Sequence, residues 1–210
     1  MMKKLLTLMI AAALCLCIAG AAVAETVVKP NAPTISIDNL GGRYLLADVK
    51  DAGNGKVNIT VYETETFPAE AIEGLKPGDR IVTDGKEYTV STVGPFADYE
   101  DMIVLNAGTV DELLFHKNGR HQYVQVGTND ENPQINLGTV TVELNEYTCF
   151  IDRVDPKTGD TLDQPVLRNG NDLMDTINTD EIGFSVMNVY AAFNEFNEPV
   201  LLVRFYTPWQ

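Results

Sequence analysis

Apolar residues recur along most of this chain in short runs cut by turn residues, the pattern of a mainly β protein. From Lys56 to Tyr62, Val57, Ile59 and Val61 alternate with Asn58, Thr60 and Tyr62, the period of a half-buried strand. A partner strand is expected over Gly42 to Lys50, joined to it through Asp51-Ala52-Gly53-Asn54-Gly55. Further strands are expected at Met102–Asn106, Val110–Lys117, Arg120–Val126, Gly138–Leu144 and Tyr147–Val154. Two long apolar strands close the pattern, Phe184–Phe193 and Val200–Tyr206. Helical spacing is confined to Phe67–Leu75, where Gly74 stops the turn, and to Asn171–Asn178, where Leu173, Met174 and Ile177 share a face. Successive strands with short loops predict an antiparallel β-barrel or sandwich with one or two short helices.

The firmest local expectation is the stretch LKPGDRIVTDGKEYTV, Leu75 to Val90. Pro77-Gly78 suits the centre of a type II turn, because proline presets its own φ and glycine accepts the positive φ that follows. Asp84-Gly85 suits a two-residue type I′ hairpin turn. That turn pairs Thr83 with Lys86, Ile81 with Tyr88 and Asp79 with Val90, so Ile81, Tyr88 and Val90 share one face. Asn118-Gly119 is a second hairpin signal. A two-residue loop there pairs Lys117 with Arg120 and sets His116 opposite His121.

The amino end changes the domain picture. Lys3 and Lys4 precede an apolar run, Leu5 to Ala19, and Ala22-Val23-Ala24 is a small-residue cleavage site. Residues 1–24 therefore read as a secretory signal peptide, of bacterial style. Leucine before Cys15 and before Cys17 argues against a lipid anchor. Residues 25–34, with Pro30 and Pro33, are expected to be an exposed extended leader. Residues 35–210 then form a single β-rich domain, with the polar loop at 128–136 as the place for an internal division. Cleavage takes the net charge from −15 to −17 and leaves Cys149 as the sole cysteine, so no intramolecular disulfide can form. Such an acidic chain repels nucleic acid and anionic membrane surfaces. No membrane span is expected after the leader.

Several chemistries lack their residues. Past the leader, Ser36, Ser91 and Ser185 all sit in strand-like settings and none in a G-x-S-x-G elbow. No phosphate-binding glycine loop occurs. The run from Phe67 through Leu75, Gly78-Asp79-Arg80-Ile81 and Tyr88-Thr89-Val90, together with Thr148-Cys149 and Arg153, resembles that of sortases. The resemblance implies a secreted or anchored β-barrel transpeptidase with Cys149 as nucleophile. It departs from that family in having no histidine before His116. Without a base Cys149 is a poor nucleophile, and Tyr147, Cys149 and Ile151 share one strand face, so Cys149 is expected to be a small buried hydrophobe.

His116 and His121, placed opposite one another, could share a zinc ion with Glu112 farther along the face. Two ligands make an incomplete site, and a solvated hairpin tip is the expectation. Asp51 to Gly55 lacks the closing glutamate of a calcium loop, since the twelfth position is Tyr62. Acidic groups at Asp98, Glu100 and Asp101, and at Asp152, Asp155 and Asp160, read as solvated loop charges. The sole tryptophan, Trp209, is expected to pack the last strand. No cofactor, metal site or catalytic set is assigned. The expected function is a secreted, non-enzymatic binding or envelope-associated module with an unidentified extracellular partner. The alternative is a sortase-like transpeptidase or other envelope hydrolase using Cys149.

Overall fold

The computed structural model describes residues 26–96, 99–117, 123–126, 133–179, 182–186 and 188–205. The proposed signal peptide, His121, the Asn118-Gly119 turn and Trp209 lie outside the described residues. The protein is mainly β; the described residues form two sheets in a sandwich-like arrangement and two short helices. Neither sheet closes on itself, so the barrel alternative is corrected.

A six-stranded sheet runs in the order β1-β4-β5-β6-β7-β8: β1 Val27–Val28, β4 Arg80–Thr83, β5 Lys86–Phe96, β6 Tyr99–Leu105, β7 Leu113–Lys117 and β8 Tyr123–Val126. Helix α1, Ala69–Glu73, packs Ile72 into its core beside Phe67, Leu75, Ile81, Tyr88 and Phe115. The expected hairpin is present in the expected register, with Ile81 against Tyr88 and Thr83 against Lys86. Asp84 and Gly85 both have positive φ, 49° and 67°, as a type I′ turn requires. Gly78 takes φ 96°, and the Asp79 N–H donates back to the Lys76 carbonyl, closing the Pro77-Gly78 turn.

The second sheet has seven strands in the order β11-β10-β13-β12-β2-β3-β9. These are β2 Tyr44–Gly53, β3 Lys56–Thr64, β9 Gln134–Glu143, β10 Cys149–Val154, β11 Thr161–Asn169, β12 Val189–Phe193 and β13 Pro199–Arg204. Its inner face buries Val57, Ile59 and Val61 fully, as their alternation predicts. Helix α2, Gly170–Thr179, covers that core with Leu173, Met174 and Ile177. The sheet is mixed rather than antiparallel, because β10 and β13 run parallel. The chain leaves this sheet after β3, builds the six-stranded sheet, and returns at β9, which pairs antiparallel with β3 over its whole length. Each sheet gathers its own apolar cluster.

The segment expected as an exposed leader is part of the fold. Val27 and Val28 pair in parallel with Arg80 and Ile81, and Val28 is buried. Pro30 and Pro33 fall after this strand and so do not interrupt it. The carboxylate of Asp79 accepts from the backbone N–H of both Thr26 and Lys76, tying this strand to the turn. Three further expectations are corrected. Residues 184–186 and 188 lie outside β12, which starts at Val189, because the Asn188 side chain accepts the Ser185 N–H and the Val189 N–H returns to the Ser185 carbonyl. Val110 lies in a turn, fully exposed, and β7 starts only at Leu113. Strand β11 has no expected counterpart; Asp163, Gln164 and Pro165 hide its pattern, and proline fits there because β11 is an edge strand.

Candidate functional site

The alternation in β10 places Cys149 on the opposite face from the one expected. Phe150, Asp152 and Val154 point inward, and Cys149 and Arg153 are exposed. The physical reason is an ion pair. Arg204 of β13 donates through Nε and Nη2 to both carboxylate oxygens of Asp152, at 2.9 and 2.8 Å, and both residues are fully buried. The Arg204 guanidinium also lies 4.4 Å over the Phe184 ring. A buried carboxylate needs such a partner, and a reading of β10 alone does not see one.

With Asp152 inside, the outer face of the seven-stranded sheet becomes apolar. Leu167, Ile151, Val203, Tyr190, Leu46 and Tyr62 are in-register neighbours on β11, β10, β13, β12, β2 and β3. Two residues away along each of the first five strands lies a second row: Asn169, Cys149, Leu201, Ala192 and Tyr44. At the usual strand spacing the first row is about 24 Å long. Leu167 is 69% exposed and Tyr44 52% exposed, Cys149 is exposed, and Ile151, Val203, Tyr190, Leu46 and Tyr62 are half-buried. Tyr44 stacks on Tyr190 at 4.6 Å, and Tyr190 stacks on Phe205 at 4.9 Å. Both faces of the Tyr190 ring are therefore covered within the chain. The phenol of Tyr44 is pushed above its ordinary pKa by burial and by Tyr190, against the opposing charge of Arg153.

At the β10 end the face opens into a cleft of about 380 Å³, lined by Tyr147, Thr148, Cys149, Leu167, Arg168 and Asp172 among others. Arg168 donates to the Thr176 hydroxyl at 2.7 Å. No described hydrogen bond reaches the Cys149 sulfur. A cysteine nucleophile needs a base or another means of forming its thiolate.

The histidine pairing is corrected by register. His116 on β7 opposes Val124, and Lys117 opposes Tyr123, so the connection is longer than two residues. His116 belongs to the six-stranded sheet and Cys149 to the seven-stranded one. The two parts of the sortase-like pattern divide in the same way, since Phe67 to Val90 build α1, β4 and β5 while Thr148-Cys149 open β10. Among the described residues, no group of three or more His, Cys, Asp or Glu could hold a metal ion.

The outer face has one sequence signal that periodicity alone undervalues. VYAAF of β12 and PVLLVR of β13 are apolar on both alternating sets, which marks a strand with two apolar faces. No family model matches this chain, and neither a curated protein nor a solved structure matches it.

Proposed function

We propose that this protein is an exported, non-enzymatic binding module that contacts its partner through the outer face of the seven-stranded sheet. The observation that carries the reading is the in-register apolar row from Leu167 to Tyr62, which among the described residues is exposed at Leu167 and half-buried along the rest. Contiguous apolar patches of this kind mark interaction surfaces. The leader-like residues 1–24 support action outside the cytoplasm, in the envelope or beyond it, and the acidic charge disfavours nucleic acid. The test is capture from a cell-envelope extract by the mature chain and by a Tyr44→Ser/Leu167→Asp variant. Both substitutions fall at exposed positions, so the fold should survive them. Capture by the parent and loss in the variant supports the reading; equal capture by both removes it.

The exposure of Cys149 in an open cleft favours a second reading, a cysteine transpeptidase or hydrolase. Alkylation by iodoacetamide at neutral pH separates the two. An activated cysteine reacts far faster than glutathione, whereas a rate equal to glutathione's retires the enzyme.

A further inference from the structure

A second cavity, of about 530 Å³, lies between β2, the last turn of α2 and the 182–185 segment. Its size is within the range that houses small molecules. Its apolar walls include Ile177, Ile182 and Phe184. Phe184 is fixed from behind by the Arg204 guanidinium, and the Val49 N–H donates to its carbonyl. Asp48 and Asp51 both border the cavity; alternation along β2 sets Asp51 on the same face as Val49, toward α2, and Asp48 on the outer face with Leu46 and Tyr62. Asp48 is held by the Val186 N–H at 2.6 Å and the Tyr62 hydroxyl at 2.7 Å, and Asp51 accepts the Gly53 N–H at 2.7 Å. The Asp51 carboxylate keeps acceptor capacity beyond this bond.

The helix adds charge of the same sign. Ile177 and Asn178, in the last turn of α2, line the cavity, and that turn contains no basic residue. The carbonyl end of a helix carries about half a negative charge and favours a cation. Lys50 also borders the cavity, but it is exposed and forms no described ion pair. The walls thus offer apolar contact and the rim a net attraction for positive charge.

We propose that this cavity binds a small amphipathic cation, an alkyl- or arylammonium. Its apolar body lies against Ile177, Ile182 and Phe184, and its ammonium lies between Asp51 and the carbonyl end of α2. The proposal does not depend on the partner-binding reading, although Asp48 at the border of the cavity is bonded to Tyr62 of the outer-face row.

The test titrates the full chain, with isotope-labelled isoleucine methyls, against n-hexylammonium, n-hexanol and n-hexanoate. The expected result is a shift of the Ile177 and Ile182 methyl resonances, with hexylammonium binding about fivefold tighter than hexanol and hexanoate weakest. Asp51→Asn should weaken hexylammonium by about two- to fivefold and leave hexanol unchanged. Asp163→Asn, an equal change of net charge at an exposed position on β11, should alter neither. The proposal is overturned by equal affinities for hexylammonium and hexanol. Equal effects of the two substitutions, or no shift at Ile177 and Ile182 with any probe, overturn it as well.

Discussion

Replacing Arg204 with methionine tests the account of β10 most directly. The guanidinium and the Asp152 carboxylate are both at 0% exposure and share two hydrogen bonds of 2.9 and 2.8 Å. Methionine keeps much of the apolar stem and removes the charge, so Asp152 stays buried without its counter-ion. Breaking a buried pair in this way costs about 3–5 kcal/mol. The lost contact with the Phe184 ring adds to the deficit, by about 0.5–2 kcal/mol. For a chain of this size the pair alone corresponds to a fall in Tm of roughly 6–20 °C. Equilibrium urea unfolding followed by far-ultraviolet circular dichroism gives the free energy directly, provided the slope against urea is unchanged. The double variant Asp152→Leu/Arg204→Met removes the orphaned charge as well. Because pairing barely offsets desolvation, the double variant should recover most of the loss. A single-variant deficit under about 1 kcal/mol, below the range for a broken buried pair, would refute the claim that the pair dictates which face of β10 is inside. So would a double variant no more stable than Arg204→Met.

Tyr62 is raised from 10.0 to about 12, first by burial and then by its hydrogen bond to Asp48. Its contribution to stability is therefore complete below about pH 10 and is lost as pH rises through the folded value. A spectrophotometric titration should show a late tyrosine that disappears in Tyr62→Phe. Glu65 accepts from the buried Thr83 hydroxyl at 2.8 Å and from the Asp84 N–H at 3.2 Å, so it clamps the β4–β5 turn to the connector after β3. Glu65→Ala should cost about 1–3 kcal/mol and speed amide exchange at Asp84; an unchanged exchange rate would count against the clamp. At Gly170 a Cβ would meet the Asn145 carbonyl oxygen at 2.6 Å. The clash, worth about 1–3 kcal/mol, should outweigh the gain of up to about 1 kcal/mol from alanine in a helix, so Gly170→Ala should lower Tm. A rise in Tm would show that the close approach relaxes freely.

What was legible in the sequence was local. Asp84-Gly85 and Pro77-Gly78 dictate their turns through backbone stereochemistry, and the register from Thr83 to Val90 follows from the turn alone. Leu173, Met174 and Ile177 announce α2 by spacing. The errors came where a partner distant in sequence decides the outcome. Asp152 looks like an outward residue until Arg204, 52 positions later, is placed beside it. Once that is known, Cys149 must face out. Phe184 to Phe193 reads as one strand because the Asn188 turn is recorded in side-chain hydrogen bonds and not in hydrophobicity. Val27-Val28 is too short to show a period, and only its pairing with Arg80 and Ile81, tied by the Asp79 carboxylate, makes it a strand. The candidate surface was visible as continuous apolar runs in β12 and β13, but its extent depends on the order of seven strands, which alternation does not encode.

The position of β13 has a consequence for how the molecule is made. It is the last of the described strands in chain order, yet it lies between β10 and β12, and among the described strands β10 and β11 reach the rest of their sheet only through it. A nascent chain that stops short of residue 199 holds a β10–β11 hairpin without its neighbouring strand and a β12 edge without its partner. The sheet is thus completed from its middle, by the segment synthesised last among its strands. Assembly of this half must wait for release of that segment, while the six-stranded sheet has all of its strands tens of residues earlier.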